Sequence, residues 1–209
     1  MKAHAVAILV LAILSWYYFI NLGFPVNIGF TNAVVAFGAT FLIALSFFLG
    51  PLARIIPALK HDLIYRKTFG LWGYSLALIH LILASFNIIN EERVITLADL
   101  GSLTFAGIAF MIFTMMALTS TYKWMQTLGY ENWKSLQRVG YMALLFVLIH
   151  IALIEQGVFL TRTTGQIAIG FMMLILLLRG LLLILGVRRK KPYKWTQLQT
   201  KPQAKPSST

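Results

Sequence analysis

No cysteine occurs in this chain, and that absence removes a block of chemistry at once. Disulfides, thiol redox exchange, thiolate metal sites and iron–sulfur clusters all need the thiol, and covalent c-type haem attachment needs a cysteine pair. Carboxylates are nearly as scarce, with six Asp and Glu in 209 residues. None lies inside a long apolar run, so paired-carboxylate chemistry has no footing there. Charged residues of both signs make up 11% of the chain, too few for an ordinary soluble domain of this length.

What fills the chain instead is hydrocarbon: 59% of residues are hydrophobic and the mean hydropathy is +0.79. Apolar runs of about 18 or more residues mark bilayer spans. Six occur, over residues 5–22, 31–50, 70–89, 101–119, 136–154 and 166–187. The expected fold is all-α, a polytopic membrane protein with a six-transmembrane-helix bundle across residues 1–187. Residues 188–209 are basic, polar and Pro-broken, and read as a disordered tail. The first run ends in Ser15 and the aromatics at 16–19 without a small-residue cleavage site, which favours an uncleaved span over a signal peptide. Pro51 and Pro57 are expected to end span two.

The net charge of +12 is distributed as topology, not as a nucleic-acid footprint. Arg54, Lys60, Arg66 and Lys67 lie between spans two and three, and Lys123, Lys134 and Arg138 between four and five. The largest basic group follows span six. The other loops carry Arg93 and Arg162 against Glu91, Glu92, Asp99 and Glu155. This bias places both termini and the basic loops in the cytoplasm, with the basic groups in contact with anionic lipid. The acidic loops are either solvated ends or a docking face for a basic partner.

Two histidines fall inside apolar runs, His80 and His150. Gly70, Gly73 and Ala77 precede His80 by ten, seven and three positions; Gly140, Ala143 and Val147 precede His150 by the same offsets. On a helix those offsets share one stripe, so each histidine is expected to end a shallow trough where a flat group can lie. At about 1.5 Å per residue, His80 is roughly 15 Å and His150 roughly 21 Å into its span, compatible depths. Intramembrane imidazoles are rare and usually functional, which points to axial ligands of a haem held between spans three and five. Other readings stand beside it: imidazoles bonded to Ser or Thr on neighbouring helices, small residues that only bring helices together, a proton relay, or another metal. His4 and His61 are expected to be solvated near the inner surface. Arg179, in span six, is expected to snorkel to headgroups rather than meet an anionic cofactor group. Trp72, Trp124 and Trp133 read as interfacial anchors.

The segments 50–54 (GPLAR), 66–72 (RKTFGLW), 78–81 (LIHL), 118–121 (LTST), 133–137 (WKSLQ) and 148–150 (LIH) carry a resemblance. Together, in order and spacing, the chain resembles the ferric-reductase-like transmembrane proteins. Within them it is most similar to the haem-binding subunits of bacterial periplasmic methionine sulfoxide reductase systems. The resemblance implies a six-span cytochrome of the bacterial inner membrane carrying haem b, with FMN also associated with such proteins. Electrons would pass from the quinone pool or a flavin donor to a periplasmic molybdopterin-containing reductase, which carries the substrate chemistry. His80 and His150 match the two family ligands. Many relatives carry a further histidine where Gln137 stands here, and Lys67 and Arg66 occupy the facing positions before His80, so one haem is expected. Gln137, with Arg66, Arg138 and Trp72 at similar depth, is the expected lining of a quinone or flavin site. A stand-alone ferric or quinone reductase, and a haem-free transporter or scaffold, are the competing functions.

Overall fold

The computed structural model describes residues 2–90, 95–154 and 162–186. Seven α-helices follow one another: α1 (Lys2–Ser15), α2 (Ile28–Ile55), α3 (Tyr65–Asn90), α4 (Leu97–Leu118), α5 (Tyr122–Leu128), α6 (Tyr130–Leu153) and α7 (Thr163–Ile184). Six helical segments are long and apolar enough to cross a membrane, α1 with its extension and all the others except α5. The expected six-span bundle is therefore present. Many large side chains point outward, including Leu78, Ile79, Ile82 and Phe86 on α3, as lipid-facing surfaces require.

The helices alternate in direction. His4, near the start of α1, meets Trp72 near the start of α3, whereas Tyr18 meets Thr164 at the start of α7. One end of the bundle thus carries the basic α2–α3 and α4–α6 connections. Half of the apolar window of α2 is buried, against 17–22% for the other spans, which makes α2 the central helix. Its residues Ile43, Ala44 and Phe47 join Phe113 of α4, Ala143 and Leu144 of α6 and Met172 and Ile175 of α7 in the main core. Its other side packs Ala39 and Leu42 against Ala3 and Ala7 of α1 and Phe69 and Leu76 of α3. In hydrocarbon such contacts gain from close packing, which favours small residues at the crossings.

Two of the long helices start at side-chain caps. Asn27 accepts from the Phe30 amide at 2.9 Å and opens α2. Thr96 and Asp99 form a reciprocal capping box at the start of α4. Asp99 is consumed there, its Oδ2 accepting from the Thr96 hydroxyl at 2.8 Å and the Thr96 amide at 3.1 Å, so it is a buried cap and not a docking carboxylate. Glu91, Glu92, Arg93, Glu155 and the 188–209 tail lie outside the described residues.

Three local features depart from the sequence reading. Pro51 does not end α2; it lies buried inside the helix, which continues to Ile55. A proline leaves the carbonyl four residues earlier without its helical donor, and the Tyr141 hydroxyl donates to that carbonyl, Phe47 O, at 3.4 Å. The chain from Trp16 to Asn21 winds as a wider π-type turn. The short α5, capped by Thr121 and separated from α6 by Gly129 at φ 75°, fills a connection expected to be a loop.

Candidate functional site

His80 and His150 come from α3 and α6 and lie within electrostatic range of each other, both half-buried. Each imidazole is held through Nδ1 by a residue of another helix. His80 Nδ1 is 2.7 Å from Asn32 Oδ1, on α2. A carboxamide oxygen only accepts, so His80 carries its proton on Nδ1 and keeps a lone pair on Nε2. His150 Nδ1 is 2.8 Å from the Ser102 hydroxyl and 3.1 Å from the Ser102 carbonyl, on α4. The Ser102 hydroxyl donates to His150 O at 3.2 Å, so it is free to accept from Nδ1, and the carbonyl can only accept. Both rings are therefore Nδ1–H tautomers, and no partner of either Nε2 is found among the described residues.

Except at Gly70, which borders a cavity, the small-residue stripes do not form open troughs. An added Cβ at Gly73 would meet the Ile43 amide nitrogen at 2.8 Å and the Ala39 carbonyl at 3.0 Å, and one at Gly70 would meet Ser46 Oγ at 3.3 Å. Ala77 packs into the α1–α2–α3 cluster. Gly140 faces the Phe47 ring and Met116, and Ala143 is fully buried beside Phe47. Both stripes are filled by α2, with α4 adding Met116. At Gly70 and Gly73 their physical effect is close approach of α3 to α2, one of the alternatives open from the sequence, whereas Gly140 and Ala143 make room for the Phe47 ring.

Towards the basic end, a cavity of about 500 Å³ lies between α2, α3, α4 and α6. Gln137, Arg66 and Arg138 line it together, as their shared depth implied, and Gly70 borders it. Trp72 does not; its Nε1 donates to Nδ1 of the exposed His4 at 2.8 Å on the α1 side. Trp133 lines the cavity and donates to Thr119 O at 2.9 Å. Arg54, Lys67, Lys134 and Arg179 add further cations to the lining. Arg66 is braced by donating through Nε to Ser46 O at 2.9 Å while Ser46 donates back to Arg66 O at 2.8 Å.

Arg179 corrects the snorkelling expectation. Its guanidinium lies 5.1 Å from the centre of the Tyr141 ring and faces the cavity. Glu131 offsets part of this charge, 3.9 Å from Lys134 and 3.7 Å from Arg138. Asn32, Ser102, Tyr141 and Arg179 are the residues that sequence reasoning missed or misplaced. The signal for the first two was present: an uncharged polar residue near the start of an apolar span.

The fold and this site define a class, a polytopic helical membrane protein with an imidazole pair inside its bundle. Residues 33–148, more than half of the chain, match the family of the ferric reductase like transmembrane component, and the chain belongs to that family. It is thus a membrane electron-transfer component, of a family whose members typically bind haem. No curated protein matches the chain.

Proposed function

We propose that this protein is a b-type cytochrome subunit holding one haem b between His80 and His150. The supporting observation is the tautomer pair: two imidazoles in range of each other, each with Nδ1–H engaged and Nε2 holding a lone pair. Ligating histidines usually donate their other ring N–H to an oxygen acceptor, so these hydrogen bonds suit ligation as well as they suit buried histidines. Ligand count separates haem from a bare ion. A zinc site takes three or four protein ligands, and no group of three or more His, Cys, Asp or Glu is found among the described residues. Two imidazoles would be enough to hold a haem, whose porphyrin would supply the iron's remaining ligands. The small residues enter this proposal through packing: Gly70 and Gly73 bring α3 onto α2, and Gly140 and Ala143 seat the Phe47 ring against α6.

When bound, the haem supplies a one-electron step inside the bilayer. The chain's residues do the rest. His80 and His150 clamp the group, and α2 and the surrounding apolar side chains keep water from it. The cationic cavity at the basic end receives the donor, a quinone or a flavin such as FMN, with Arg66, Gln137 and Arg179 as its polar contacts. Gln137 stands where relatives have a histidine, and amide oxygen is not an ordinary haem ligand, so the cavity is assigned to the donor and not to a second haem.

The setting we propose is the bacterial inner membrane, with both termini cytoplasmic and the histidine end towards the periplasm. There the electrons pass to a periplasmic molybdopterin-containing methionine sulfoxide reductase. The family match favours a second reading, a stand-alone ferric or quinone reductase. Purified protein should show a reducible Soret and α-band spectrum, and His80→Ala or His150→Ala should remove most of it. Wild-type-like spectra in both variants would reject the assignment. Reduction of ferric chelates without a partner would select the second reading.

A further inference from the structure

Resting on the haem-ligation reading above, we infer that Asn32 and Ser102 are positioning residues that fix the tautomer of the two imidazoles and, through it, the potential of the iron they face. Each stands 48 residues before its histidine, on the partner helix of a hairpin: Asn32 on α2 beside α3, Ser102 on α4 beside α6. Both meet Nδ1 and leave Nε2 alone. Ser102 is not a packing accident of the small-residue stripes, because those face α2 through Gly70, Gly73 and Gly140, whereas Ser102 reaches His150 from α4.

The electronic consequence follows from the hydrogen-bond direction. An Nδ1–H that donates to an acceptor pushes electron density towards Nε2, making it a stronger ligand and favouring ferric over ferrous iron. The two acceptors are unequal. Asn32 is the one acceptor found for His80 among the described residues, so its loss leaves the ring N–H without a partner. Ser102 offers both its hydroxyl and its main-chain carbonyl, and the carbonyl at 3.1 Å survives substitution of the side chain. Asn32 is therefore the dominant control and Ser102 the lesser one.

The test is an equilibrium redox titration of the full-length, haem-loaded protein, read at the α-band with haem content measured alongside. Asn32→Leu removes the acceptor and should raise the midpoint potential; Asn32→Asp strengthens the acceptor and should lower it. A tenfold change in the preference for ferric iron, the lower end of typical outer-ligand effects, corresponds to about 59 mV for one electron. Ser102→Ala should move the potential in the direction of Asn32→Leu by less, and Ser102→Thr should restore the wild-type value. Opposite shifts at one position are not produced by loss of packing, and Asn32→Asp with the Ser102 pair carries the test if Asn32→Leu does not fold. Unchanged potentials at wild-type haem content, or Asn32→Leu and Asn32→Asp moving together, would overturn the inference. A wild-type protein that binds no haem would instead overturn the ligation reading beneath it.

Discussion

The two histidine-bearing hairpins, α2–α3 and α4–α6, share one plan and differ in how firmly each part is fixed. Each opens with a capped helix, places a polar residue about a turn and a half past the cap, and lets that residue hold an imidazole of the following span. In α2–α3 the cap is a single Asn27 contact and the imidazole has one amide acceptor. In α4–α6 the cap is a reciprocal box and the imidazole is held by a hydroxyl and a carbonyl together. The helix crossing reverses the order: Gly73 lies against the backbone of α2, whereas Gly140 meets only side chains. The first hairpin joins a main-chain contact between its helices to a single imidazole acceptor; the second holds its imidazole by two groups, and its Gly140 faces side chains.

The largest effect should not distinguish the hairpins at all. His80→Ala and His150→Ala should each cause near-complete loss of bound haem, measured as pyridine haemochrome per chain, because one imidazole cannot clamp a bis-ligated iron. A variant retaining half of the haem would break the equivalence. Next in size is the donor cavity, which is shared by both hairpins and α7. Arg66→Gln and Arg179→Gln should slow haem reduction by the physiological donor about 10-fold or more, the cost of losing a charge-assisted contact of about 1.5–3 kcal/mol. Haem content should stay intact, and stopped-flow reduction with a quinol and with reduced FMN identifies which donor is affected.

The crossing is sharpened by alanine. Gly73→Ala puts a methyl against main chain that cannot move locally, and should cost about 1–3 kcal/mol. Gly140→Ala meets the tip of the Phe47 ring and the flexible Met116, and should cost less. Thermal denaturation in detergent compares them, and equal losses would contradict the backbone-contact argument. Smallest are the caps. Thr96→Ala and Asn27→Ala should each cost about 1 kcal/mol, with Thr96 the larger because its hydroxyl both accepts from the Asp99 amide and donates to the Asp99 carboxylate.

Much of the architecture was legible from the one-dimensional pattern. Six apolar runs and alternating basic loops identify six spans because hydrocarbon tolerates little else. The boundaries slipped where polar residues continue helices: α3 begins at Tyr65 and α6 at Tyr130, beyond their apolar windows. Pro51 misled because a tyrosine from another helix supplies the hydrogen bond that proline leaves unmade. The histidines stood out as imidazoles in lipid. Their acceptors did not, since nothing in a sequence says that residue 32 faces residue 80. The small residues were visible as a stripe, but a stripe does not reveal whether a cofactor or a neighbouring helix fills it. Arg179 was misplaced for the same reason: a long cation near a membrane surface can reach outward or inward, and Tyr141 draws it inward.

The most direct test of the central claim is the low-temperature electron paramagnetic resonance spectrum of the oxidised, purified protein. The two-imidazole clamp predicts a low-spin ferric signal that integrates to one haem per chain. A high-spin signal, two haems per chain, or no haem after expression with ample haem supply would contradict it.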